Sequence, residues 1–404
     1  MSTTVLEDPG WKGLVPAFIL LWVAGFYLRM PLMMAPPLGP MIAGEMGLGS
    51  TGTGALTTIP VLLLSVAAVA GAFMITVVGA RRAVAFGLLV LVLGSAGRGL
   101  ALEPWQLYAV TALMGLGIAV VQPALPALLT LWCPRRIALG TAVYMNGMLV
   151  GEVVGAGLTL PVFLPLAGQD WRLALIVVSL PGLLAVAGFA WRRSAGEHAA
   201  MPAVPHWMPA WNRPLVWRLG ILLGASGSMF FGTNAYMATV LASRGEEHLL
   251  APGLLLFNSA QVVASLLAFR YASRWLGRTA PMLAVTSGAA VCLVLFLLLP
   301  GAPALAAAVM VSFTTGIMLI LLVSLPPAIA FRERAGALAA GVYTIGYALS
   351  FIVPLLGGAL VDATGVRLAA LAPPLLLGMF AVPLSLGLER ATAPEKEAGL
   401  PAER

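Results

Sequence analysis

Residues 280–330 read APMLAVTSGAAVCLVLFLLLP-GAPALAAAVMVSFTTGIMLILLVSLPPAIA, two apolar runs meeting at Pro300-Gly301-Ala302-Pro303. Between Arg278 and Arg332 no side chain is charged. Each run has the roughly 20 residues that an α-helix needs to cross a bilayer core, and the Pro-Gly turn between them marks a tight reversal. The same pattern recurs along the chain, with spans near 14–38, 54–78, 83–101, 105–131, 138–164, 171–191, 215–242, 250–272, 280–300, 303–330, 336–361 and 366–388. Twelve membrane helices are therefore expected.

Composition excludes most other classes. Of 404 residues, 60% are hydrophobic and 9% charged, and the mean hydropathy is +0.99. A soluble domain carries about 25% charged residues, so a soluble fold is set aside. The formal charge of +7 does not indicate nucleic acid, because the basic residues form no single patch. They fall in short groups between apolar runs. With the N-terminus inside, the cytoplasmic segments hold Lys12, Arg81, Arg82, Arg135, Arg136, Arg192, Arg193, Arg213, Arg218, Arg270, Arg274, Arg278, Arg332, Arg334, Arg390, Lys396 and Arg404. That is seventeen of the 22 basic residues; the outer loops keep Arg98, Arg172, Arg244 and Arg367. The positive-inside rule then sets both termini in the cytoplasm. The polar start, Met1 to Lys12, precedes an apolar run too long for a signal-peptide core and lacks a cleavage site, so the first helix is expected to be retained.

Cys133 and Cys292 form no CxxC pair or disulfide framework. His198, His206 and His248 all lie in polar connections. No metal site and no cofactor are implied. There is no GxxxxGK[ST] loop, so the energy source is expected to be a gradient rather than a nucleotide.

The longest polar stretch, Arg192 to Arg213, reads as a linker between two groups of six helices. The halves resemble each other: Leu125-Pro126-Ala127 followed by Val143-Tyr144-Met145-Asn146-Gly147 matches Leu325-Pro326-Pro327 followed by Val342-Tyr343-Thr344-Ile345-Gly346. Such an offset sets helices four and five over ten and eleven, as in parallel six-helix repeats.

Two charges lie deep within spans, one basic and one acidic. Arg29 falls about 22 Å along the first helix, where a guanidinium faces a cavity, pairs with a carboxylate or binds an anion. Glu152, in Gly147-Met148-Leu149-Val150-Gly151-Glu152, is the acidic residue at similar depth on the fifth helix, which runs in the same direction. Two readings stand beside each other. Protonation of Glu152 frees Arg29 for an anionic substrate, or the carboxylate neutralises Arg29 permanently. Gln122, Asn146, Asn234, Asn258, Gln261, Tyr343 and Tyr347 are further candidates for a polar cavity lining, each also able to serve as an interhelical hydrogen bond; Thr233 and Tyr236 share the seventh helix with Asn234. Gly147, Gly151 and Gly155 form a small-xxx-small ridge that lets the fifth helix approach a neighbour closely. Pro31, Pro36, Pro37 and Pro40 break the second half of the first helix and free carbonyls.

Tyr27-Leu28-Arg29, Leu38-Gly39-Pro40 and Leu56-Thr57-Thr58-Ile59-Pro60 resemble the opening of the cyanate/2-nitroimidazole transporter family within the major facilitators. Leu125-Pro126-Ala127-Leu128, Gly346-Tyr347 and Asp362-Ala363-Thr364-Gly365 are similar to its later segments. The chain departs from that family at Tyr27, where Asn is common. In the loop between helices two and three it keeps Gly79, Arg81 and Arg82, but Thr76 or Ile75 replaces the usual acid. The resemblance implies alternating access, a bacterial inner membrane and a small anion or small polar organic substrate.

The expectation is an all-α membrane protein of twelve helices in two pseudo-symmetric six-helix bundles, residues 1–191 and 214–390. A linker at 192–213 joins them, and a tail at 391–404 follows. It is a secondary transporter of a small anion rather than an enzyme. Arg29 is the anion contact, Glu152 the proton site or ion-pair partner, and a proton or other ion gradient the drive. Its surroundings are the lipid bilayer, with no nucleic-acid partner and no metal, and family analogy implies a monomer. The alternative is an exporter of neutral hydrophobic or nitro-aromatic compounds, in which Met30, Met33 and Met34 form an adaptable surface. A membrane enzyme would need clustered His, Asp or Ser groups within spans, and a receptor would need a sizeable signalling domain.

Overall fold

The computed structural model of the protein describes residues 11–66, 74–75, 77–133, 136–192, 211–329 and 332–391. The segment before Trp11, Thr76, Arg135, most of the linker with His198 and His206, and the tail beyond 391 lie outside these. Every regular element among the described residues is helical. The main ones are α1 (Trp11–Met33), α2 (Ala35–Met46), α3 (Ser50–Val66), α4 (Ala80–Gly97), α5 (Pro104–Trp132), α6 (Ile137–Gly157), α7 (Trp171–Ser179) and α8 (Gly182–Trp191). They are followed by α9 (Pro214–Ala242), α10 (Leu250–Trp275), α11 (Thr279–Leu298), α12 (Gly301–Ile329), α13 (Arg332–Thr364) and α14 (Ala372–Ser385).

Among the described residues ten helical stretches are long and apolar enough to cross a membrane, and eleven when Leu139–Gly157 and Thr159–Leu166, bent by 58°, are taken as one. The second expected span begins as α3, and its expected remainder includes residues outside those described. This agrees with twelve spans. The chain is a multi-pass membrane protein.

Proline sets where the helices break. The first span was expected to end near residue 38 but continues to Met46, interrupted at Met34. Pro36 and Pro37 have no N–H to give the carbonyls of Leu32 and Met33, so the α-helical ladder stops there. After α6 the chain passes through a π-helical turn, Thr159–Phe163, in which the N–H of Phe163 reaches back to the carbonyl of Leu158 at 3.1 Å.

The chain divides into two compact units. One comprises Met1–Gly47 and Val66–Met201, the other Leu48–Ser65 and Pro202–Arg404. In the first unit the most extensive helix pairing is α1 with α6. Glycines permit it. A Cβ on Gly147 would run into the carbonyl of Trp22, one on Gly151 into that of Phe26, and one on Gly155 into that of Met30; from the opposite side, one on Gly25 would meet the carbonyl of Tyr144. The expected ridge is therefore a backbone-to-backbone contact with the first helix.

In the second unit α9 pairs most extensively with α13, and Gly220 and Gly224 take the side chains of Ile345 and Leu349. Leu219, Leu222, Met318, Leu321 and Val342 are buried in the core between α9, α12 and α13. Helix α3 lies along α13 in this unit. Asp362 accepts from the N–H groups of Ser50 (2.7 Å) and Thr51 (2.9 Å) and from the Thr51 hydroxyl (2.6 Å). A carboxylate at a helix N-terminus satisfies free donors and opposes the positive end of the dipole. Asp362→Ala is expected to lower stability by about 1 kcal/mol, read as earlier thermal unfolding, with Asp362→Asn intermediate because one acceptor oxygen remains.

Several arginines cap helix ends. Arg81 donates to the carbonyls of Phe189 (2.7 Å) and Ala190 (2.9 Å) at the end of α8. Arg244 holds those of Leu299, Phe296 and Leu297 at the end of α11, and Arg218 those of Leu384 and Leu386 at the end of α14. Cations are favoured at these carbonyl-bearing ends.

Candidate functional site

The glycine contact fixes the geometry of the two intramembrane charges. With α1 and α6 in backbone contact at Phe26–Gly151 and Met30–Gly155, Arg29 and Glu152 stand on facing helices at one level. Their side chains pair at 3.4 Å, from Arg29 Nε to Glu152 Oε1, and are 11% and 7% exposed. The pairing is partial. Glu152 Oε2 is buried with no hydrogen-bond partner among the described residues, and guanidinium and carboxylate come no closer than 3.4 Å. Buried ion pairs offset their desolvation only when the remaining lone pairs and protons are also satisfied, so this pair is left with an unspent acceptor.

The repeat of the two halves shows what is specific about this pair. The register that carries Gly147 onto Gly346 carries Glu152 onto Phe351. Gly147 meets Trp22 as Gly346 meets Leu223, and that correspondence carries Arg29 onto Phe230. Phe230 is buried and stacks on Phe257 with ring centroids 5.4 Å apart. The charged pair thus belongs to the first half alone.

The other sequence candidates fall into separate groups. Asn146 is exposed on α6 and accepts from the Trp22 indole at 2.9 Å, about 9 Å along the helix from Glu152. Gln122, on α5, has its Oε1 buried without a partner. In the second unit Asn234 and Asn258 exchange amide hydrogen bonds of 3.2 and 3.1 Å and are fully buried, a mutual satisfaction that ties α9 to α10. Gln261 is buried and lies against Gly316 of α12. Thr233 is buried with its hydroxyl unpartnered, while Tyr236 donates to the Pro354 carbonyl at 3.0 Å. Tyr343 donates to the Val323 carbonyl at 3.0 Å, and its ring lies 6.2 Å from that of Tyr347. Tyr27, the departure beside Arg29, turns its hydroxyl onto the Val178 carbonyl at 3.2 Å.

Arg98 is a correction to the sequence reading. It was assigned to an outer loop, yet it is 2% exposed. Its guanidinium donates to the Pro31 carbonyl at 2.7 Å and to Ser95 Oγ at 3.1 Å, and the Ser179 hydroxyl donates to Ser95 Oγ at 2.7 Å. The carbonyl end of α1, where prolines have removed the next donors, is a favourable place for a cation. Its position at the end of an apolar run, between Gly97 and Gly99, looked like a helix terminus, and nothing local in the sequence indicated the broken helix beside it. No group of three or more His, Cys, Asp or Glu side chains able to hold a metal occurs among the described residues.

The described residues form a multi-pass helical membrane protein with an ion pair buried between two of its helices, and its family and relatives set it among membrane transporters rather than enzymes. Residues 21–353 match the Major Facilitator Superfamily, and the chain belongs to it. Over 229 residues it is 28% identical to a 2-nitroimidazole transporter of Escherichia coli (strain K12), covering 56% of this chain and 58% of that protein. Over 252 residues it is 25% identical to the cyanate transport protein CynX of the same organism, covering 62% and 65%. The chain thus spans between 58% and 65% of the length of these two relatives. In fold it is similar to a D-xylose–proton symporter, with a TM-score of 0.73, 11% identity and coverage of 93% of this chain and 97% of that one. It is also similar to an inward-facing, unoccupied bacterial homologue of the human lysosomal transporter Spinster, with a TM-score of 0.72, 15% identity and coverage of 93% and 97%.

Proposed function

We propose that the protein is a secondary transporter that carries a small anion across the bacterial cytoplasmic membrane by alternating access, coupled to protons. Arg29 is the anion contact and Glu152 the proton site. Both termini are cytoplasmic, the halves at 1–191 and 214–390 are the moving bundles joined through 192–213, and the monomer is the working unit. The observation that carries this reading is the loose Arg29–Glu152 pair, 3.4 Å at its closest and with Glu152 Oε2 lacking a hydrogen-bond partner among the described residues. A pair made only for structure gains by closing in a bidentate fork of short hydrogen bonds; here Oε2 makes no such bond among the described residues. A proton on Glu152 removes the competing charge and lets the guanidinium take an anion, so proton and anion enter together. The names of two relatives, a cyanate transport protein and a 2-nitroimidazole transporter, agree with a small substrate.

A second reading, export of neutral nitro-aromatic compounds, is favoured by the zero net charge of the pair and by the first of those names. Thermal unfolding of purified wild type and Arg29→Ala with cyanate, formate, nitrate and 2-nitroimidazole separates the two. At a hundredfold excess over Kd a ligand is expected to add about 2.7 kcal/mol. The anion reading requires that at least one anion stabilises the wild type and not Arg29→Ala. Stabilisation by the neutral compound alone, equal in both proteins, transfers the assignment to the second reading.

A further inference from the structure

We infer that the ligands of the Arg29–Glu152 site are small weak acids with an N–H or O–H beside an acceptor edge. The acidic hydrogen lies on Glu152 Oε2 and the acceptor edge on the Arg29 Nη groups. This rests on the anion reading of the site and states which anions it takes.

Three features of the pair lead there. First, it is electroneutral, so a bare anion brings a net negative charge into a buried place and sets its own lone pairs against those of Oε2. Second, Oε2 is buried and unpartnered, and a buried carboxylate oxygen without a donor carries a desolvation cost. A neutral solute without an X–H leaves that cost in place. Third, the pair is 3.4 Å at its closest, longer than the charge-assisted hydrogen bonds of a closed fork, so the guanidinium can turn donors to a ligand while Oε2 stays open. A planar molecule that offers an acceptor edge and an adjacent X–H satisfies both at once.

The charged groups around Glu152 do not alter this balance. Of the elements packed on α6, α1 brings Arg29; α5 has Tyr108 as its ionisable side chain, near its outer start. Helix α2 has Glu45, which is held by Trp171 at 2.6 Å and by Arg172 at 3.0 Å. The second half, with Phe230 and Phe351 at the corresponding positions, repeats neither charge.

The proton balance is the same for every ligand of this class. Either the ligand arrives neutral and its X–H donates to ionised Glu152, or it arrives as the anion and Glu152 has taken one proton from water. Both routes give one anion, one proton, one guanidinium and one carboxylate. 2-Nitroimidazole, neutral with a ring N–H next to its nitro group, has the full pattern, and linear cyanate, the anion of a weak acid, shares its proton balance; these are the compounds in the two relatives' names.

The test compares 2-nitroimidazole, its ring-N-methyl derivative and cyanate by titration calorimetry of the purified wild type, in two buffers of different ionisation enthalpy. Below the acidity of the ring N–H, 2-nitroimidazole should bind with no net proton exchange, whereas cyanate should take up roughly one proton. N-methylation removes a hydrogen bond to a charged acceptor and should weaken binding on the order of tenfold to a hundredfold. In Glu152→Gln, cyanate should no longer take up a proton. Binding of the N-methyl compound within threefold of its parent, both lost in Arg29→Ala, overturns the weak-acid assignment while the Arg29 site stands. Absence of binding by all three probes overturns the anion reading itself. The N-methyl comparison uses wild-type protein alone, so it decides the question even where a Glu152 variant does not fold.

Discussion

Gly151→Leu is expected to yield little folded protein. A Cβ at this position runs into the carbonyl of Phe26 and stands 3.1 Å from the Met30 N–H nitrogen. Both are main-chain atoms of a helix, which cannot turn aside as a flexible side chain would. The only relief is to part α1 from α6, the most extensive helix pair of the first unit. Membrane helices are held by close packing rather than by exclusion of water, so separation forfeits most of what joins them. Overpacking a well-filled site costs about 1–3 kcal/mol, and a clash with backbone should lie at the top of that range or above it. The measurement is thermal unfolding and monodisperse yield in detergent. Gly288→Ala on α11 is the control: the nearest neighbour of its Cβ is Thr314 Cγ2 at 3.5 Å, and alanine is the better helix former by about 1 kcal/mol. A Gly151→Leu protein as stable as the control would mean that α1 and α6 are not in backbone contact.

Arg29→Met is expected to cost about 3 kcal/mol of stability, because it leaves Glu152 buried without its countercharge. Adding Glu152→Gln should return most of that loss, since replacing both members of a buried pair by neutral groups is often close to neutral. Transport should follow a different pattern. Arg29→Met, Glu152→Gln and the double variant should all lose proton-driven uptake of cyanate into vesicles, even where stability is restored. Stability from the thermal cycle and uptake from the vesicles thus separate the structural part of the pair from its functional part. If the double variant transports at the wild-type rate, the two charges serve folding only and the substrate is held elsewhere.

The multi-pass pattern, the helical class and the family were legible because each rests on local or periodic information. The apolar runs state their own length, the arginines mark the ends of runs, and Leu125-Pro126-Ala127 with Val143 to Gly147 repeats in the second half. The Arg29–Glu152 pairing was also within reach, since two parallel helices of known start place residues 29 and 152 at equal depth. The partner of the glycine ridge was not. Gly147, Gly151 and Gly155 announce a close approach, but any of several helices could supply the opposing backbone.

Arg98 and Asp362 show where local reading ends. Arg98 follows an apolar run and has the signature of a loop residue; it is buried because a helix distant in sequence is broken by prolines and offers the Pro31 carbonyl to it. Asp362 opens the short run Asp362-Ala363-Thr364-Gly365; it caps α3, some three hundred residues earlier. Asn234 and Asn258 carry no mark that would separate a substrate contact from a mutual amide bond.

By itself the sequence determined what the bilayer enforces: helices of spanning length and the rarity of charge within them, since unsatisfied backbone and unpaired charge are costly in hydrocarbon. The tertiary structure alone decided which polar groups are spent on one another and which remain free. That depends on side-chain geometry between helices far apart in the chain. Here it leaves Glu152 Oε2 without a hydrogen-bond partner among the described residues and its pairing with Arg29 no closer than 3.4 Å, while Asn234, Asn258 and Tyr343 are already satisfied.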